Sequence, residues 1–161
     1  MPVSPPTFAP PTAPRWPARI YPGQLDQAAR LRADLHTDLT GYPAELADTV
    51  VLCACEVFAN AVEHTRSGEQ GGRVVRALYR PHPTRLRLVL VDDGSPTPPP
   101  QIASQPSPEP QQHQEHDLAE SGRGLLLIEH LAHTWGHHPL DPHIPVLGAA
   151  VWVEFCCPGL R

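Results

Sequence analysis

The chain has 161 residues, with 12 basic residues (Lys and Arg) against 17 acidic ones, and a formal charge of -5 at pH 7. This length suits one domain of ordinary size. The acidic balance argues against a surface for nucleic acid or anionic lipid, because such binding depends on clustered Lys and Arg. Since no stretch approaches the about 20 apolar residues of a membrane span, and the N-terminus lacks the pattern of a signal peptide, we expect a cytoplasmic protein with its cysteines as thiols.

The 22 prolines are concentrated in two segments, from Pro2 to Pro22 and from Pro96 to Pro110. Proline fixes φ and removes a backbone donor, so neither segment is expected to form regular structure. We therefore predict a disordered tail over residues 1–22 and a folded domain over residues 23–157. Residues 96–121 are expected to be a long flexible loop within that domain.

The spacing of apolar residues predicts the helices and strands. Helices are expected at 25–39, 43–64 and 124–133, and strands at 74–79, 85–91 and 149–155. The second helix has a stripe of apolar residues at Leu46, Val50, Cys53 and Val57. The predicted order is helix, helix, strand, strand, long loop, helix, strand, strand, in which the strand directly after the third helix is given no bounds. This order favours an α/β (α+β) two-layer sandwich, in which helices cover one face of a mixed, mainly antiparallel sheet.

A row of polar residues lies on the second predicted helix. Glu56, Asn60 and His64 stand four residues apart, so each is displaced by only about 40° around the axis from the one before. One interpretation is a solvated helix face with polar pairs. The other is a ligand site, because an Asn carbonyl oxygen suits Mg²⁺ and a carboxylate one turn earlier can orient a water or accept a proton.

A tight turn is predicted at the end of the strand over residues 85–91. The turn reads Asp92-Asp93-Gly94-Ser95-Pro96, and glycine permits a close approach of the backbone. The leucines of the strand have the same parity as Asp92.

A second glycine-containing turn, Gly122-Arg123-Gly124, is predicted to open the third helix. Backbone N–H groups at the start of a helix have no partner within it, and they form a ready site for phosphate. A pair of glycines alone is weak support, because glycines also serve ordinary turns.

Together these segments resemble the motifs of the histidine-kinase-like (Bergerat) ATPases. The run from Glu56 to His64 is similar to the asparagine box E-x-x-x-N-A-x-x-H of this family, and Asp92-Asp93-Gly94 is similar to its D-x-G motif. The stretch from Gly122 to Gly136 is similar to its second glycine box with the helix and strand behind it. The resemblance extends over roughly residues 25–156. It implies a Bergerat ATP-binding fold with ATP and Mg²⁺ as cofactors, in which residues 96–121 are the ATP lid.

The resemblance also implies roles for individual residues. Asn60 would hold Mg²⁺, and Glu56 would position or deprotonate the attacking hydroxyl. The aspartate of the D-x-G motif, Asp92 followed by Gly94, would accept a hydrogen bond from the adenine amino group. Some relatives carry D-x-S-P instead, and in that case Asp93 would be the residue that accepts the hydrogen bond from the adenine amino group. The other residues expected at the nucleotide are His64, Gly122, Arg123 and Gly124.

Within the family, the chain is most similar to the stand-alone anti-sigma regulatory factors, because Ser-Pro follows the aspartate turn and Thr-Trp-Gly follows the third helix. This likeness implies an anti-sigma factor with serine/threonine kinase activity. Its partners would be a sigma factor and an antagonist protein, and a homodimer is left open. Relatives usually begin the last strand with Gly-x-Thr, whereas this chain has Gly148-Ala149-Ala150 and lacks the hydroxyl. The alternative is therefore a module that binds or has lost the nucleotide and only sequesters a partner.

A different class of function, a histidine-coordinated metalloprotein, follows from the ten histidines. His130 and His133 stand three residues apart on a predicted helix and could face the same way, as metal-binding pairs do. His137 and His138 follow shortly after. A partner of the H-E-x-x-H type is absent from the sequence, which weighs against this interpretation.

Overall fold

The computed structural model describes residues 15–95, 118–141, 143–144 and 147–157. In this part of the chain a five-stranded sheet is covered on one face by three α-helices. The elements are β1 (Arg15–Pro22), α1 (Ala28–Asp38), α2 (Ala44–His64), β2 (Arg73–His82), β3 (Arg85–Val91), α3 (Leu118–Leu131), β4 (Thr134–Pro139) and β5 (Ala149–Cys156). None of these helices is long and apolar enough to cross a bilayer.

The sheet has the strand order β1-β2-β3-β5-β4, and each neighbouring pair is antiparallel. The predicted two-layer α+β sandwich is confirmed, although the sheet is antiparallel throughout its described strands and not mixed. β2 and β3 form a hairpin, and β5 inserts between β3 and β4. This arrangement places the end of β3 beside the beginning of β5.

The predicted tail over residues 1–22 is wrong at its C-terminal end, because Arg15–Pro22 forms the edge strand β1. Proline is tolerated on an edge strand, where one side of the backbone needs no ladder partner. Pro17 lies where the register with β2 shifts, between Trp16 and Arg19. Trp16 packs against Tyr42, with ring centroids 6.0 Å apart. Residues 1–14 lie outside the described residues.

The third helix also begins earlier than predicted, at Leu118 and not at Gly124. Residues 118–121, part of the predicted long loop, therefore belong to α3. The rest of the predicted loop, residues 96–117, lies outside the described residues. β3 has the predicted bounds, and α2 begins one residue later than predicted.

The core lies between the helices and one face of the sheet. In α2, three residues of the predicted stripe are buried and Leu46 is half-buried. Alternate residues of β3 face the same core. The central buried side chains are Leu31, Leu35, Val50, Cys53, Val57, Phe58, Leu86, Leu88 and Leu90. This core fixes α2 across the sheet and so positions the polar residues that α2 carries.

A buried ion pair joins α1 to the sheet. Arg76 of β2 is fully buried, and its Nη2 donates to Asp38 Oδ2 at 2.6 Å. Arg19 of β1 donates to the other oxygen of Asp38 at 3.2 Å. The Asp38 carboxylate therefore holds the last turn of α1 to two strands at once.

Candidate functional site

The polar row predicted on α2 lies along its second half. Glu56 and Asn60 are half-buried, whereas His64 is exposed at the end of the helix. The His64 ring lies 3.9 Å from the carboxylate of Glu63. The row thus runs from the edge of the core at Glu56 to solvent at His64.

Helix α3 packs directly on the inner end of this row, at Gly124. A Cβ atom at Gly124 would lie 2.8 Å from Glu56 Oε2 and 3.7 Å from Asn60 Nδ2. Because the first distance is too short for a real Cβ contact, any larger residue at position 124 would displace the carboxylate. Glu56, Asn60 and Gly124, from two different predicted motifs, therefore lie side by side.

The aspartate turn begins where β3 ends, and it is bound to the start of β5. Oδ1 of Asp92 accepts the N–H of Gly94 at 2.7 Å and the N–H of Ala149 at 3.2 Å. The backbone N–H of Asp92 in turn donates to the carbonyl of Ala149 at 2.9 Å. Gly94 has a φ of 85°, which a residue with a side chain rarely adopts. Burial raises the pKa of Asp92, and the two N–H donors oppose that shift.

The neighbouring Asp93 has a different environment. Its Oδ2 accepts the backbone N–H of Arg73 at 2.8 Å, and its own N–H donates to Ser67 Oγ at 2.9 Å. The carboxylate of Asp93 is therefore used to join β2 to the turn. This geometry favours Asp92 over Asp93 as the carboxylate that meets a ligand, and the assignment stays a prediction.

The aspartate turn is also tied to the end of α2. The N–H of Arg66, two residues after the helix, donates to the carbonyl of Gly94 at 2.8 Å. Ser67 in the same 3₁₀ turn bonds to Asp93. Ser67 is absent from the predicted site residues, since nothing in its spacing marks it. The structure thus connects α2, which carries Asn60, to the turn that carries Asp92.

The expectation that Gly122-Arg123-Gly124 opens a helix is wrong, because α3 begins at Leu118. The backbone N–H groups without a partner inside a helix are those of its first turn, and they precede Gly122 here. A phosphate role for Gly122, Arg123 and Gly124 stays a prediction, and it can no longer rest on the start of the helix. What remains of that argument is the contact of Gly124 with Glu56 and Asn60.

The histidines of the metal hypothesis point to separate partners. His130 Nδ1 lies 2.7 Å from the carbonyl of Leu126, and His133 Nε2 lies 3.0 Å from Arg85 Nη2. Within the described parts of the chain, His, Cys, Asp and Glu side chains form no group of three or more that could hold a metal ion. The four cysteines are free thiols, and burial raises the pKa of Cys53 to about 11.

A cleft of about 320 Å³ is lined by none of the predicted nucleotide residues. It is lined by the first turns of α2 and by the ends of α3 and β5, including Leu46, Leu131 and Phe155. Neither Asn60 nor Asp92 lines it. The predicted nucleotide residues thus belong to a different part of the surface.

The side chains of two parts of the predicted site have the chemistry that a magnesium nucleotide needs. Gly124 packs closely beside an amide and a carboxylate, whose oxygens are ligands of the kind that Mg²⁺ prefers. Asp92 is a half-buried acceptor whose neighbouring backbone donors hold it in place. An acceptor of this kind suits an amino group on a purine.

Comparison with known proteins agrees with this fit. The family model of the histidine kinase-like ATPase domain matches residues 21–139. The chain therefore belongs to the histidine kinase-like ATPase domain family, a family of ATP-binding domains. Its fold is similar to that of the mycobacterial sensor histidine kinase MprB, with a TM-score of 0.50 and 18% sequence identity over 89% of this chain and 100% of that chain. No curated protein sequence matches it. The predicted resemblance is thus confirmed for the family and the fold.

Proposed function

We propose that this ATP-binding domain is an anti-sigma factor with serine/threonine protein kinase activity. The observation that carries the proposal is the close packing of Gly124 against Glu56 and Asn60. The aspartate turn, bonded to the residues just after α2, supports it. Ser95-Pro96 and Thr134-Trp135-Gly136 support the anti-sigma subtype, because they are typical of those factors.

The roles proposed for the residues are those that the family resemblance implies. Asn60 would hold Mg²⁺, and this ion, when bound, supplies charge neutralisation to the phosphates. Glu56, half-buried beside it, would orient the serine hydroxyl of the partner and accept its proton. Asp92 would accept a hydrogen bond from the adenine amino group, with Gly94 leaving space for the base. Phosphoryl transfer depends mainly on positioning, and these residues lie on elements that the core fixes.

The proposed partners are proteins. A sigma factor would be sequestered, and an antagonist would receive the phosphate on a serine. The sigma factor would then be released when the antagonist is bound in its place.

A second function, a nucleotide-binding module that sequesters a partner without catalysis, is favoured by the beginning of β5. Ala149 bonds to Asp92 through its backbone N–H and carbonyl alone, and the run Gly148-Ala149-Ala150 lacks the hydroxyl that relatives are expected to supply with Gly-x-Thr. Losing one such hydrogen bond costs about 0.5 to 1.5 kcal/mol, which weakens nucleotide binding several-fold without abolishing it. A module of this kind would keep its partner bound whether or not ATP is present.

The experiment incubates the purified protein with Mg-ATP and a candidate antagonist, and phosphoserine is measured by mass spectrometry. Transfer that is lost in Asn60→Ala and retained in Asp48→Asn supports the kinase, because Asp48 is exposed on the same helix, three turns before Asn60. Partner binding without transfer supports the module. A protein that binds no nucleotide in a calorimetric titration contradicts the kinase, and it leaves only a module that has lost the nucleotide.

A further inference from the structure

The segment that follows α2 is the meeting point of three parts of the backbone. The side chain of Ser67 is fully buried, in the single 3₁₀ turn at Arg66–Gly68. Cβ atoms at Gly23 and Gly72 would lie 1.5 Å and 2.2 Å from the carbonyl oxygen of Ser67. The end of β1 and the approach to β2 therefore pack against Ser67 so closely that only glycine fits at these two positions.

Ser67 closes a ring of hydrogen bonds with two other residues. Its Oγ donates to the carbonyl of Arg73 at 2.8 Å and accepts the N–H of Asp93 at 2.9 Å. The ring is completed by the N–H of Arg73, which donates to Asp93 Oδ2 at 2.8 Å. Both the donor and the acceptor capacity of the hydroxyl are used.

This ring, which we call the Ser67 latch (Ser67, Arg73 and Asp93), holds the residue directly after Asp92. Just beyond it, Gly94 donates its N–H to Asp92 Oδ1 and accepts the N–H of Arg66. On the other side of the latch, Thr65 Oγ1 accepts the N–H of Ser67 and donates to the carbonyl of Ala61 in the last turn of α2. A continuous chain of bonds thus leads from α2 to the carboxylate of Asp92.

We propose that Ser67 and Asp93 are positioning residues, which hold the adenine-reading carboxylate of Asp92 at a fixed place relative to Asn60 on α2. The inference rests on the proposed nucleotide site and adds to it the residues that set its geometry. Neither residue needs to touch the nucleotide. Asp93 contributes through its carboxylate and its N–H, and Ser67 contributes through one buried hydroxyl.

The first test measures amide hydrogen exchange without ligand, in Ser67→Ala and in Asp93→Ala. The informative amides are those of Arg66 and Gly94, because neither N–H donates a hydrogen bond to Ser67 or to the Asp93 side chain. The latch predicts faster exchange at both amides, with unchanged exchange at Leu88 in the core. Unchanged exchange at Arg66 and Gly94, or an equal increase at Leu88, overturns the proposal.

The second test compares the affinities for Mg-ADP and for magnesium tripolyphosphate, which has no base. We expect Ser67→Ala to weaken ADP binding about tenfold, because a smaller fraction of the protein then holds Asp92 in the place that binds adenine, and to leave tripolyphosphate binding unchanged. A merely structural defect would weaken both. Thr37→Ala is the matched control, since it also removes a hydroxyl bonded to a carbonyl, but on α1.

The double variant Ser67→Ala/Asp93→Ala separates a shared latch from two independent contacts. Within one network the two effects on ADP affinity are expected to be much less than additive. Full additivity contradicts the latch. Wild-type protein that binds neither ligand would contradict the proposed function, and the exchange measurement would still decide whether the latch exists.

Discussion

Ala149 lies directly opposite Asp92, at the point where β5 begins beside the end of β3. The register pairs Val91 with Ala150, and the next residues are joined by the bond from the Asp92 N–H to the Ala149 carbonyl. Opposite residues in an antiparallel pair have side chains on the same face of the sheet. The threonine of Gly-x-Thr corresponds to Ala150, which pairs with Val91, whereas Ala149 is the alanine whose side chain shares the face of Asp92.

The first prediction is that Ala149→Thr increases the affinity for ADP by about two- to tenfold, because a hydroxyl on that face can bond to Asp92. Isothermal titration calorimetry measures the change. Ala149→Val is the control, as it has the shape of threonine without the hydroxyl. An equal gain in both variants would show that packing, and not the hydrogen bond, is responsible.

Most of the fold could be predicted because its elements have a regular apolar period. In α2 buried residues such as Val50 recur every three or four positions, and in β3 buried residues such as Leu88 occupy every second position. The bounds of both elements were predicted to within one residue. β1 was missed because its prolines argue against a strand. Proline is compatible with an edge strand, and no local pattern reveals which strand will lie at the edge.

The candidate site was predictable only in part. Spacing along α2 predicted that Glu56 and Asn60 share a face, and the contact of Gly124 with both follows from how α3 crosses α2. The spacing of residues within one helix cannot predict where a second helix crosses it. The same holds for Ser67, whose partners Arg73 and Asp93 come from two other segments.

The second prediction concerns pH. Burial raises the pKa of Asp92, so its carboxylate takes up a proton at a higher pH than an ordinary aspartate, whose pKa is about 3.9. Since the adenine amino group needs an acceptor, ADP affinity is expected to fall as the pH decreases through this raised pKa. Because the folded state favours protonated Asp92, protonation of this group does not lower the stability of the fold as the pH falls. The expected loss of ADP affinity would therefore not result from unfolding.

Titrations with ADP at successively lower pH, with circular dichroism at each value, check this prediction. Asp92→Asn cannot ionise at this position and should show a weaker affinity that depends less on pH. His137, which lowers the pKa of Asp92, and Asp93, which raises it, are the other charged groups that act on this carboxylate. A wild-type profile identical to that of Asp92→Asn would contradict the role of Asp92.

The third prediction is that Gly124→Ala lowers phosphoryl transfer without destabilising the protein. The new methyl group would lie 2.8 Å from Glu56 Oε2, so the carboxylate must move. Because the end of a flexible side chain can shift, and because alanine favours a helix over glycine by about 1 kcal/mol, the melting temperature should stay the same or rise. Leu126→Ala, which truncates an exposed residue of α3, is the control and should retain transfer. Full activity in Gly124→Ala would contradict the proposed role of Glu56.

The fourth prediction concerns the buried pair of Arg76 and Asp38. Within the described residues, Nε and Nη1 of Arg76 have no hydrogen-bond partner, so its charge depends on Asp38. Asp38→Ala leaves that charge buried and uncompensated, and it is expected to lower the free energy of unfolding by about 3 to 5 kcal/mol. The double variant Asp38→Leu/Arg76→Met removes both charges and should lose less stability than Asp38→Ala. Urea unfolding followed by circular dichroism measures both, and a double variant as unstable as the single one would show that Asp38 acts mainly through Arg19.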